Sequence, residues 1–218
     1  MPPALCISVE GIDGAGKTTF TNALVEELEA LGTSPLRIRE PGGTEVGEEI
    51  RRIVKSELHM DDWTKALLFA ASRRALVEEV LLPAKASGRW VVLDRFVDSM
   101  FVYQASPIVS LDDLDDLHTM TTGGFLPDCT FWLDTPPEVA MERALSRGDG
   151  DPNDRAGIEH YKRLAEGFLQ RYTWDTNNRI FRLDGTFPPS TLVRTAIEHC
   201  QELVGAPSLR DKPDFTLE

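Results

Sequence analysis

Gly11-Ile12-Asp13-Gly14-Ala15-Gly16-Lys17-Thr18 fits the pattern G-x-x-x-x-G-K-S/T and follows directly on the apolar run Leu5 to Val9. The pattern predicts a cradle for nucleotide phosphates. Glycines permit backbone conformations closed to residues with a Cβ, so successive N–H groups can converge on phosphate oxygens where a helix starts. Lys17 would reach the β- and γ-phosphates and Thr18 would ligate Mg²⁺. An ordinary Gly-rich turn can match four fixed positions by chance. What separates this stretch from such a turn is its setting, a strand-length run before it and the helical pattern Thr19 to Leu31 after it.

Working outward, apolar runs of strand length recur at Leu36 to Ile38, Trp90 to Leu93, Thr130 to Leu133 and Ile180 to Leu183, separated by stretches of helical period. This alternation predicts an α/β chain with a five-stranded parallel sheet covered by helices on both faces. The first helix should end near Gly32, a C′ residue. A second should run from about Val46 to Lys55. A long third one should run from about Trp63 to near Pro83 and Gly88, with Ala66, Leu67, Ala70, Ala71 and Leu76 as its apolar set. Shorter helices are expected over Ser99 to Ala105 and Asp112 to Thr122, then from Pro136-Pro137 to about Ser146. A helix from about Ile158 to Asn177 and a last one from about Ser190 to Val204 complete one domain over 1–205. The stretch Arg147-Gly148-Asp149-Gly150-Asp151-Pro152-Asn153-Asp154-Arg155 is polar and rich in breakers and reads as a mobile surface loop. The tail 206–218 reads as poorly ordered.

A chain of 218 residues with 41% hydrophobic and 27% charged residues has ordinary globular composition. Its formal net charge of −13 disfavours a nucleic-acid or anionic-membrane partner, since both need a positive footprint. A phosphate-binding enzyme still needs local cations, so the arginines should gather at the site while acids cover the remaining surface. Cys6, Cys129 and Cys200 lie far apart with no C-x-x-C spacing and read as buried, reduced thiols. The start Met1-Pro2-Pro3-Ala4 leaves no room for a signal peptide, and no apolar stretch approaches about eighteen residues, so a cytoplasmic protein is expected.

In open α/β sheets ligands sit beyond the carboxyl ends of the strands. There the first strand ends in Glu10 and the glycine loop, the second in Arg39-Glu40-Pro41-Gly42-Gly43-Thr44, and the third in Asp94-Arg95. Asp94 stands where phosphate-loop enzymes keep a second magnesium-associated carboxylate. A hard cation needs oxygen ligands beyond Thr18 and the phosphates; the competing role for Asp94 is to cap the next helix. Arg95 can be its ion-pair partner or a planar, bidentate phosphate donor. Phe69 and Arg73, four residues apart on one helix face, can present a ring and a guanidinium to one ligand; from spacing alone, a core phenylalanine with a solvated arginine is the simpler reading. Arg143, Arg147 and Arg155 bracket the loop, where a lid arginine would offset charge on the transferring phosphoryl oxygens and closure would exclude water.

These segments, with Phe96, Ser99, Tyr103-Gln104, Pro127-Asp128 and Phe131-Trp132-Leu133-Asp134, occur in an order and spacing that resembles the bacterial thymidylate kinases from Cys6 to about Gly185. The resemblance implies a P-loop nucleoside monophosphate kinase fold, ATP and dTMP as ligands, Mg²⁺ held by Thr18 and Asp94, and a homodimer packed through helices. It implies that Gly11, Ile12, Asp13, Gly14, Ala15, Gly16, Lys17, Thr18 and Thr19 hold ATP. Asp13 would lie near the sugar 3′-hydroxyl and Phe69 would stack on thymine. Arg39, Arg73 and Arg95 would hold the acceptor phosphate or the base, with Ser99 beside them. Gln104 would contact thymine, and Tyr103 would crowd the place of a ribose 2′-hydroxyl. Some members carry an arginine where this chain has Gly14; in the glycine type the catalytic cations come from the lid, 147–156, which fits Arg147 and Arg155 alongside Lys17 and Arg95.

Val102 and Ala105 are bulkier than the family's usual alanine and glycine and flank the base-contacting residues. Two readings stay open, compensated repacking and an altered preference for thymine, which would make the acceptor another or a modified pyrimidine deoxynucleotide. A nucleotide switch protein is a third class. It is disfavoured because no N-K-x-D or T-K-x-D run reads guanine and the E-P-G-G-T and D-R segments would go unexplained.

Overall fold

The computed structural model describes residues 4–147 and 157–205. Five strands, β1 (Cys6–Glu10), β2 (Leu36–Arg39), β3 (Val91–Asp94), β4 (Cys129–Asp134) and β5 (Ile180–Asp184), pair in parallel in the order β2-β3-β1-β4-β5. β1 is buried along its whole length, as a central parallel strand covered on both faces must be. The edge strand β2 alternates instead, which puts Arg37 and Arg39 together on its open side. Register levels the strand ends: Arg39 and Val9 both stand opposite Asp94, and Glu10 opposite Trp132. The phosphate loop, the segment after β2 and Asp94-Arg95 are thereby delivered to one edge.

Helix α1 (Lys17–Ala30) ends as expected, with Gly32 at φ 86° and the Thr33 N–H donating to the Leu28 carbonyl at 3.1 Å. α2 (Glu45–Val54) is capped by Thr44, whose hydroxyl accepts from the Gly47 N–H. The long third helix is not continuous. α3 (Asp62–Leu76) passes into a π-helical turn (Val77–Leu81) and then α4 (Leu82–Ala86). Pro83 has no N–H for the Glu79 carbonyl and its ring would crowd that oxygen; widening the turn before it accommodates both defects. Ala66, Ala70 and Leu76 are buried as expected, but Leu67 is 51% exposed and Ala71 is also exposed.

α5 (Val97–Gln104), α6 (Leu111–Thr122), α7 (Pro137–Arg147), α8 (Ile158–Thr173) and α9 (Pro189–Leu203) complete the order. One apolar core, around Phe20, Leu24, Phe131, Leu164 and Ile197, joins the sheet to α1, α7, α8 and α9; a second, around Leu76, Leu93, Phe96 and Leu114, joins it to α3, α5 and α6. The three cysteines are buried and free. Among the described residues no helix is long and apolar enough to cross a membrane. Arg147 closes α7; its side chain, Arg155 and the rest of the predicted lid lie outside the described residues, as does the tail 206–218.

Candidate active site

The phosphate loop runs from the end of β1 into α1, with Gly11 at φ 143°, Gly14 at φ 80° and Gly16 at φ 92°. Gly14 is forced twice over, because a Cβ there would stand 1.9 Å from the Ala140 carbonyl oxygen in α7. The Lys17 ammonium folds back over the loop and donates to the Gly11 and Ile12 carbonyls at 3.0 and 2.8 Å. Burial pushes its pKa down to about 8, helped by Arg95, while Asp13, Asp94 and Glu10 counteract. A phosphate in the loop would restore the ammonium's full preference for its charge.

Beside Lys17, the Thr18 hydroxyl donates to Asp94 Oδ2 at 2.8 Å. A hydroxyl and a carboxylate paired at an open cleft are the oxygen donors that Mg²⁺ selects, so this pair fits the expected ion. Among the described residues no three His, Cys, Asp or Glu side chains gather to hold a metal alone. Any ion here would share Thr18 and Asp94 with phosphate oxygens.

Arg95 is the centre of the acceptor side. It holds φ 72°, a conformation that costs an L-residue about 1–2 kcal/mol, and its guanidinium is fixed by several partners. Nη1 donates to the Gly11 carbonyl at 3.1 Å and to Ser99 Oγ at 2.9 Å, and Nη2 to Asp13 Oδ1 at 2.5 Å and the Tyr103 oxygen at 3.1 Å. The Tyr103 hydroxyl in turn donates to Asp13 Oδ2 at 3.0 Å. Burial alone would raise the Asp13 pKa, but Arg95, Lys17 and the Tyr103 hydrogen bond outweigh it and hold the carboxyl well below the usual range. Asp13 therefore joins the phosphate loop to the cleft as a fixed anion.

That cleft has a volume of about 720 Å³ and brings together Asp13, Lys17, Thr18, Arg39, Phe69, Arg73, Asp94, Arg95, Ser99, Tyr103 and Gln104. Eight cationic side chains line it, counting Arg37, Arg51, Lys55 and Lys65 with Lys17, Arg39, Arg73 and Arg95. The carboxylates number four: Asp13, Glu40, Glu57 and Asp94. The local excess is four positive charges in a chain of net charge −13, which is the gathering of cations that phosphate chemistry demands.

Arg73 is not solvated. It is 1% exposed, its Nε lies 2.6 Å from Glu40 Oε1, and its guanidinium stands over the Phe96 ring at 5.5 Å. The distance makes an ion pair, yet Arg73 Nε and both Glu40 oxygens lack a well-directed hydrogen bond. Arg73 Nη1 donates to the Met100 sulfur at 2.7 Å, which fixes the guanidinium in the cleft wall. Arg39 is more open and pairs with Glu48 at 3.0 Å, whose other oxygen takes the Gly43 N–H at 3.1 Å.

Two residues not singled out from the sequence also belong here. Arg51 of α2 donates to the Pro41 carbonyl at 3.0 Å, just after the cis Glu40–Pro41 bond, and lines the cleft. Glu10 lies under the loop with no exposed surface, bonded to α5. By contrast Val102 and Ala105 do not line the cleft. Val102 is buried against α8, where a Cβ on Gly167 would lie 3.1 Å from its Cγ1. The larger residue on α5 packs against a glycine on α8.

On the opposite side of β1, at the ends of β4 and β5, a second hollow of about 600 Å³ is lined by Asp134, Pro136, Arg182, Asp184 and Thr186. The loop thus stands between two concavities. A phosphate loop, an oxygen pair for a hard cation and a separate cationic cleft beside it define a phosphotransferase of the P-loop nucleotide kinase class.

Comparison with known proteins narrows the class. The family model for thymidylate kinase matches residues 9–197, and the chain belongs to the thymidylate kinase family. It is 39% identical over 202 residues to a thymidylate kinase of Acinetobacter baylyi, covering 91% of this chain and 99% of the relative. A thymidylate kinase of Chlorobium chlorochromatii is 40% identical over 201 residues, covering 86% and 90% respectively. The crystal structure of the Ehrlichia chaffeensis thymidylate kinase superposes with a TM-score of 0.73 at 25% identity, covering 92% of this chain and 99% of that one.

Proposed function

We propose that this chain transfers the γ-phosphoryl group of ATP to the phosphate of dTMP, giving dTDP and ADP. The single observation that carries the reading is Asp13, a residue of the donor loop bonded to both Arg95 and Tyr103 of the acceptor cleft. Donor and acceptor sites share a wall.

The ATP phosphates would lie on the amides of Gly11 to Thr19 with Lys17 on the β- and γ-oxygens, and adenine would lie toward the hollow at β4 and β5. The acceptor phosphate would meet Arg95 and Arg39, with Arg51 beside them, while Phe69, Arg73 and Gln104 hold the base. Mg²⁺, held by Thr18 and Asp94, would neutralise charge on the donor phosphates when bound. No general base is required, because the acceptor phosphate has a second pKa of about 6 and is largely dianionic at neutral pH. The work of the protein is to bring two polyanions into line and offset their repulsion with fixed cations. Gly14 supplies no side chain for that, so Arg147 and Arg155 are proposed to complete the charge balance.

The oligomer is proposed to be a homodimer in the cytoplasm, supported by Trp63 and Leu67, exposed one turn apart on α3; sedimentation at a mass near twice the monomer's 24.3 kDa is the expected result. The activity is tested by coupled ADP release with dTMP, dUMP and thymidine as acceptors. Turnover should be fastest with dTMP. Equal or faster turnover with thymidine, which needs a base to remove a proton, would overturn the phosphate-acceptor reading.

A further inference from the structure

Glu10 is a carboxylate at the end of the central strand, with none of its surface exposed. Taking such a group out of water is costly, and a neutral side chain would avoid the cost. Both its oxygens are spent on one partner element. Oε1 accepts from the Phe96 N–H at 2.7 Å and from the Ser99 N–H at 3.4 Å; Oε2 accepts from the Ser99 hydroxyl at 2.6 Å. Helix α5 starts at Val97 and receives no capping hydrogen bond from the Phe96 side chain, so the strand supplies the cap from outside.

The consequence reaches Arg95. A serine hydroxyl has one proton, and Ser99 gives it to Glu10, which leaves its lone pairs facing the Arg95 Nη1 that donates to it at 2.9 Å. Arg95 also sits in a left-handed conformation between β3 and α5. Its backbone is thus clamped next to the Glu10-bound start of α5, and its side chain is received by the Glu10-bound hydroxyl. We propose that Glu10 is a positioning residue of the acceptor site, which fixes the start of α5 and orients Ser99 so that the Arg95 guanidinium is held where the acceptor phosphate must meet it. The inference rests on the placing of Arg95 and Ser99 on the acceptor side.

The test compares Glu10→Gln, Ser99→Ala, the double variant and Arg95→Lys, assayed at mildly alkaline pH, where Glu10 is ionised. Glutamine keeps the shape and one acceptor but turns a donor toward Ser99, so the hydroxyl loses its fixed direction. The expected loss in kcat/KM for dTMP is about tenfold, the scale of one charge-assisted hydrogen bond, with the KM for ATP within about twofold and no fall in Tm. Because Glu10 acts through Ser99, the double variant should be no worse than the weaker single one. If Glu10→Gln does not fold, Ser99→Ala carries the test, and it should show the same loss on dTMP alone.

Parent-like use of dTMP by Glu10→Gln, while Arg95→Lys is impaired, overturns this inference and leaves the site assignment standing. So does a fall in Tm accompanied by equal losses for ATP and dTMP, since that is the signature of a merely structural carboxylate. Parent-like use of dTMP by Arg95→Lys overturns the acceptor-side assignment and the inference together.

Discussion

Gly14 and Gly16, three and one residues before Lys17, both hold a positive φ, 80° and 92°, but their surroundings differ completely. Replacing either by alanine puts a side chain into the left-handed region, at about 1–2 kcal/mol. At Gly16 nothing else follows, because no atom lies within 4 Å of the new Cβ. At Gly14 the Cβ would stand 1.9 Å from the Ala140 oxygen and 2.7 Å from its carbonyl carbon. That oxygen belongs to the backbone of α7, and Ala140 has no exposed surface, so it cannot swing aside. The loop or the helix must move by about 1 Å, adding a typical overpacking cost of about 1–3 kcal/mol. For Gly14→Ala the total is about 2–5 kcal/mol, which lowers Tm by roughly 4–20 °C for a chain of this size. The same movement displaces the amides that cradle phosphate, and about 1 Å of misplacement can cost about 10²-fold in rate. Differential scanning fluorimetry and the KM for ATP read the two effects; Gly16→Ala should lose only a few degrees. The reasoning is refuted if Gly14→Ala matches Gly16→Ala in both readouts. An arginine at position 14 would meet the same obstruction from its first carbon.

Lys17→Ala is expected to lower kcat/KM by about 10² or more, with an unchanged far-ultraviolet circular dichroism spectrum to show that the fold survives. At the α5–α8 contact, Gly167→Ala sets a helix-propensity gain of about 1 kcal/mol against a 3.1 Å contact with Val102. In urea unfolding the double variant with Val102→Ala should be more stable than the sum of the two single changes by about 1 kcal/mol, and Val102→Ala should leave the ratio of dTMP to dUMP turnover unchanged. The pH dependence of stability should carry the mark of Glu10, whose pKa is pushed up to about 7 from 4.5 by burial and by Asp98, against the Ser99 hydrogen bond. Between those values this carboxyl holds more proton in the folded chain than in the unfolded one, so Glu10 contributes a fall in stability as pH rises from about 4.5 to 7, opposed by His118, whose pKa burial pushes down to about 4 from 6.5. Glu10→Gln should remove that contribution; an unaltered slope would mean that another group sets it.

All five strands were placed to within a residue or two: β1, β3 and β4 because buried parallel strands are continuous apolar runs, and the edge strands β2 and β5, interrupted by Arg37 and Arg182, because apolar residues still recur between helical stretches. Helix boundaries followed their signals where the signals were chemical, as at Gly32. The break after Leu76 was not legible, since Pro83 marks a discontinuity without saying whether the helix ends before it or widens through it. Leu67 misled because helical spacing identifies a face, not which neighbour covers it. Asp13, Arg95, Tyr103 and Phe69 were legible through motif and resemblance, and the cleft brings them together. Glu10 was not, because a carboxylate ending an apolar run has no pattern of its own; its partners Phe96 and Ser99 lie 86 and 89 residues downstream. Arg51 was hidden for a related reason, standing on an amphipathic helix where an arginine reads as solvated until the Pro41 carbonyl is seen beside it. Val102 needed the opposite partner, Gly167, which only the packing of α8 on α5 supplies.

The most direct test of the account is phosphorus NMR of the purified chain with Mg·ATP and dTMP, which identifies the group that receives the phosphoryl. The account predicts that the dTMP resonance is replaced by the paired resonances of dTDP, one for each ADP formed. Formation of ADP with free inorganic phosphate and unchanged dTMP would contradict it.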